Sequence, residues 1–73
     1  MIERWLKYLK TNVKNKRKEL GITQQELANR SQLSMTTILK IEQGRSVDIK
    51  LSILDALGKG LKTKDPLDLL KDT

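Results

Sequence analysis

An all-α fold is predicted by three observations in this sequence. Apolar residues recur at three- and four-residue steps along most of the chain. Helix-start signals stand at Thr23, Ser34 and Asp65-Pro66, each just ahead of an apolar-periodic run. Strand-like alternation is confined to the short string Val47, Ile49, Leu51.

The first element is marked by Ile2, Trp5, Leu6, Leu9, Val13 and Leu20, which share a helical face, and Gly21 ends it. Thr11 and Asn12 are weak helix formers, so two arrangements stay open. One is a single helix; the other is a short N-terminal helix, a break, and a second helix from about Asn12 to Glu19.

The second element starts at Thr23, whose hydroxyl can accept from a first-turn N–H while Glu26, three residues on, reaches back, forming a capping box. Leu27 and Ala28 supply its inward face. Ser34 then caps a third element that carries Ile38 and Ile41 and ends at Gly44. Only Ser31, Gln32 and Leu33 separate the two, with Leu33 placed to plug the corner; a connection this short sets two helices at a steep angle. Two capped helices across so tight a turn form a helix-turn-helix motif. The outward positions of its second helix, Met35, Thr36, Thr37, Lys40 and Gln43, carry hydroxyls, an amide and a lysine, groups suited to base edges in a major groove.

After the polar loop Arg45-Ser46-Val47-Asp48, a fourth helix is expected over 49–61 with Leu54, Leu57 and Leu61 inward. Gly58 and Gly60 weaken it by roughly 1 kcal/mol each relative to Ala, tolerable where a neighbour packs closely. Asp65 as cap and Pro66 at the first position begin a last helix to about Lys71, presenting Leu67, Leu69 and Leu70. The pattern gives four or five helices plus an N-terminal extension.

Seventy-three residues without a linker-like stretch make one domain, with 37% apolar and 3% aromatic content. A chain this short buries roughly 60% of its unfolded surface and benefits from added support. Without Cys or His, neither disulfides nor the usual zinc sites can supply it, which leaves dimerisation. The same absences remove thiol nucleophiles, imidazole bases and histidine-dependent triads, and nothing gathers the scattered acids, so no enzyme, metal or cofactor is expected. No apolar run is long enough to span a bilayer and the N-terminus lacks a signal-peptide pattern, which predicts a soluble, cytoplasmic protein. The net charge is +6, and Arg4, Lys7, Lys10, Lys14, Lys16, Arg17 and Lys18 all precede residue 20. Polyanions are the expected partners.

The string Val13, Arg17, Leu20-Gly21-Ile22-Thr23-Gln24, Glu26-Leu27-Ala28, Leu33-Ser34, Ile38, Ile41-Glu42 and Gly44 resembles the lambdoid phage repressor and Cro type of helix-turn-helix regulator, the XRE family. The resemblance spans about residues 12 to 70. It implies a five-helix repressor-like domain over 12–71, preceded by a helical extension over 1–11 that adds a packing or dimerising element anchored by Trp5. It further implies that the helix from Ser34 to Gln43 reads DNA, with Met35, Thr36, Thr37 and Lys40 at bases. Gln24, Ser34, Gln43 and Arg45 fall at phosphate-contacting or flanking positions. Arg17 and Glu42 align with a pair that forms a partly buried salt bridge in some relatives.

This sequence departs from the family pattern in three places: Gln32 stands where glycine is usual, the loop from Arg45 to Ile53 looks long, and residues 1–11 are extra. The function so implied is a sequence-specific transcriptional regulator, a repressor or autoregulator, binding palindromic double-stranded DNA as a homodimer. The alternative is an antitoxin-type module that grips a protein partner through residues 1–11 or the last helix and also binds its own promoter.

Overall fold

A computed structural model describes the backbone of residues 2–45 and 50–71, and the side chains of these from Lys7 onward. Four α-helices run in order: α1 (Ile2–Glu19), α2 (Gln24–Ser31), α3 (Met35–Glu42) and α4 (Leu51–Gly60). A 3₁₀ helix, Pro66–Leu70, follows. There is no strand among the described residues. The all-α class holds, but the last element is not the fifth α-helix that the resemblance implies. Asp65 Oδ1 accepts from the Leu67 N–H at 3.0 Å, and Asp68 N reaches Asp65 O at 2.9 Å, closing the tighter i→i+3 turn. Short runs of this kind are where 3₁₀ geometry is tolerated.

Of the two arrangements open for the first twenty residues, the single helix is found: α1 passes through Thr11 and Asn12 unbroken. Asn12 is buried, and its Nδ2 donates to Leu69 O and Lys71 O, both at 2.8 Å. A tertiary role for the side chain thus outweighs a propensity deficit of under about 1 kcal/mol. Residues 2–11 form the first half of this helix, and Leu9 within them is a core residue. The side chain of Trp5 lies outside the described residues, as do Val47 and Ile49 of the strand-like string, Ile49 being also the expected first residue of the fourth helix. Leu51, third in that string, is helical and opens α4.

The core gathers one or two residues from each element: Leu9 and Val13 of α1, Leu27 and Ala28 of α2, Ile38 and Ile41 of α3, Leu54 and Leu57 of α4, and Leu69. Ile22 and Leu61 fill in from the connections. α1 packs against α3 and the 3₁₀ helix; α2 packs against α3 and α4.

All three predicted caps form, at Thr23, Ser34 and Asp65. Thr23 Oγ1 accepts from Glu26 N while Glu26 Oε1 accepts from Thr23 N, each at 3.0 Å. The Thr23 backbone and side-chain hydrogen bonds hold the Glu26 carboxyl below the usual carboxylate range. Gln32 closes α2 in the left-handed conformation, φ 59° and ψ 31°. That conformation costs a non-glycine residue roughly 1–2 kcal/mol and explains why glycine suits the position. The turn nonetheless keeps its closing bond, Leu33 N to Ala28 O at 3.0 Å, and Leu33 packs on the core.

At Gly60 the weakening of α4 has a packing reason. A β-carbon there would lie 3.1 Å from Leu27 Cδ1 and 3.3 Å from Ser31 N, so glycine lets α4 approach α2 closely. Gly60→Val is expected to destabilise by about 1–3 kcal/mol through overpacking. A thermal melt followed by circular dichroism checks this, and an unchanged midpoint would mean that the helices can part without cost.

Candidate nucleic-acid interface

α2 and α3 are fixed to α1 by one polar cluster. Arg17 of α1 points its guanidinium fork at Glu42, the last residue of α3: Nε donates to Oε2 at 2.8 Å and Nη2 to Oε1 at 3.1 Å. Nη1 donates to Ile22 O at 3.0 Å, and Gln24 Nε2 at the start of α2 donates to Glu42 Oε1 at 3.2 Å. The side chains of Arg17 and Glu42 are 14% and 4% exposed, so the pair is largely withdrawn from water. Bidentate pairing satisfies both carboxylate oxygens, which a buried acid requires. The cluster therefore sets the relative positions of three helices, and it consumes the single acid of α3.

With Glu42 turned inward, the outward side of α3 is free of negative charge. Thr36 and Lys40 are exposed there, and Gln43, Gly44 and Arg45 continue the exposed surface past the helix end. Gly44, at φ 70°, makes the turn that releases Arg45 from the helix. Met35 is half-buried and packs against the core, so its side chain serves the fold as well as the surface. Ser34 Oγ accepts from Thr37 N at 3.1 Å and lies 2.9 Å from Thr37 Oγ1. Whichever hydroxyl donates in that pair, the other keeps its own O–H to offer outward. Of the residues singled out from sequence, Arg17, Glu42 and Gln24 are brought together, and so are Ser34 and Thr37. The link from Gln24 to Glu42 is not legible in the sequence; helical spacing within one element carries no signal for a contact across eighteen residues.

The family model described as helix-turn-helix, of the XRE type, matches residues 13–69, which contain the capped pair α2–α3 and the Arg17–Glu42 contact. The chain belongs to the XRE-type helix-turn-helix family. It is 41% identical over 54 residues to a protein of Methanothermobacter thermautotrophicus named as an uncharacterized HTH-type transcriptional regulator, an alignment that covers 70% of this chain and 78% of that one. No solved structure matches. In this helix-turn-helix, the motif's first helix is α2, its second is α3, and the turn between them carries Gln32. No helix among the described residues is long and apolar enough to cross a membrane.

Proposed function

We propose that this helix-turn-helix protein is a sequence-specific DNA-binding transcriptional regulator, a repressor or autoregulator that binds a palindromic operator as a homodimer. The observation that carries the reading is the acid-free outer side of α3, with Thr36 and Lys40 exposed, in a chain of this family with net charge +6. α3 enters the major groove, where lysine donates to guanine acceptors and threonine can donate or accept. Met35, Thr36, Thr37 and Lys40 meet base edges. Gln24, Ser34, Gln43 and Arg45 hold phosphates, with Gln24 in the first turn of α2, where free N–H groups and the helix dipole favour anions. Two subunits then read half-sites one helical turn apart, roughly 34–36 Å. The relative's name as a transcriptional regulator supports the same assignment.

The test is a gel shift on DNA from upstream of the protein's own gene, at two salt concentrations. Discrimination of a palindromic site from random duplex at moderate salt is expected; equal binding to both would refute sequence-specific recognition. The two classes of contact separate on mutation, because base contacts carry sequence information and phosphate contacts carry register. Lys40→Ala or Thr36→Ala is expected to relax preference at one base pair by about 1–3 kcal/mol. Arg45→Ala is expected to weaken all sequences alike. Lys40→Ala with affinity and preference both intact would remove Lys40 from the recognition surface.

A further inference from the structure

Lys10, Lys14 and Arg17 are spaced four and three residues apart on α1 and so share one side of it. Arg17 is pinned to Glu42 at the end of α3. Lys10, two turns back, lies over Gly44: a β-carbon at that glycine would sit 3.1 Å from Lys10 Cδ and 4.0 Å from its Nζ. This side of α1 therefore borders the end of α3, where Gln43 and Arg45 project. Lys10 and Lys14 are exposed, as is Lys7 one turn before Lys10. None of the three pairs with an acid among the described residues, and the nearby carboxylate of Glu42 is taken by Arg17 and Gln24.

We propose that Lys7, Lys10 and Lys14 of α1 form a second phosphate-binding surface, which carries the DNA footprint beyond the helix-turn-helix along the backbone bordering Arg45. This rests on the DNA-binding reading above and extends it to a part of α1 outside the motif. From Lys7 to Lys14 the helix rises about 10 Å. One DNA strand places a phosphate about every 3.4 Å of duplex axis, so the row can meet up to about three successive phosphates. Long, flexible ammonium side chains suit point-charge contact with a backbone and carry no base preference.

The expected signature is electrostatic. Each phosphate contact contributes about 0.9 to the slope of log K against log salt concentration. Lys10→Gln and Lys14→Gln are each expected to reduce the wild-type slope by about 0.9, and the double variant by about 1.8. Affinity for operator and random duplex falls by the same factor. Lys10→Arg, which keeps the charge, preserves the slope, as does Lys59→Gln on α4, a helix that packs on α2 and the 3₁₀ helix. Lys14→Gln alters an exposed side chain, so its result does not depend on the packing of Lys10 over Gly44. A wild-type slope in the double variant, with wild-type DNA binding intact, overturns this proposal alone. A wild-type chain that binds no duplex overturns it together with the DNA-binding reading.

Discussion

Arg17→Met is expected to destabilise the protein by about 3–5 kcal/mol, because it strands the Glu42 carboxylate, 4% exposed, with one neutral amide left as partner. For a chain of this length total stability is about 4–11 kcal/mol, so much of the population would unfold near physiological temperature. The reverse change, Glu42→Leu, leaves Arg17 better able to reach water and costs less. The double variant Arg17→Met/Glu42→Leu is expected to recover most of the loss, since a buried pair replaced by apolar groups of similar volume is often neutral. Urea denaturation of the four proteins in a double-mutant cycle checks this. A coupling energy near zero would show that the pair is held by its surroundings and contributes nothing of its own.

Asn12→Leu is expected to cost about 1–3 kcal/mol, although it improves helix propensity. The new side chain is of similar size but offers no donor, so Leu69 O, in the interior, loses the amide that satisfies it; Lys71 O is partly buried and can turn to water. If the variant instead melts higher than wild type, the carbonyls have found other partners and α1 profits from the better residue. Hydrogen exchange at the 3₁₀ helix separates the outcomes, because loss of the amide should speed exchange there and not in α2 or α3.

These residues also show what can be read from sequence. Thr23, Glu26, Ser34 and Gly44 act through bonds to neighbours three or four positions away, so the bounds of α2 and α3 are written locally, and both are found as expected. Gln32, a side chain where the backbone is left-handed, is marked by the family resemblance, which has glycine there, and not by any local pattern. Asn12 is different. Its propensity argues for a break, whereas its bonds to carbonyls 57 and 59 residues away favour the continuous helix that is found. The start of α4 is displaced from its expected place because its cap position, Lys50, makes no side-chain capping hydrogen bond and so leaves no local mark. In the site, the Arg17–Glu42 pairing follows from the resemblance rather than from spacing. By spacing alone Gln24 and Lys10 are isolated surface groups, whereas packing sets one against Glu42 and the other over Gly44.

Because one amide holds carbonyls at both residue 69 and residue 71, the segments most distant in sequence are neighbours in space. Among the described residues, the first and last elements of the fold thus pack side by side. A circular permutant could join the end of the 3₁₀ helix to the start of α1 through a linker spanning about 15 Å, the rise of α1 ahead of Asn12. New ends would open after Thr63, whose N–H closes α4 on Gly58 O, at the exposed Lys64. In that rearranged chain the 3₁₀ helix would be made first and α4 last, docking against α2 and the 3₁₀ helix as the closing piece.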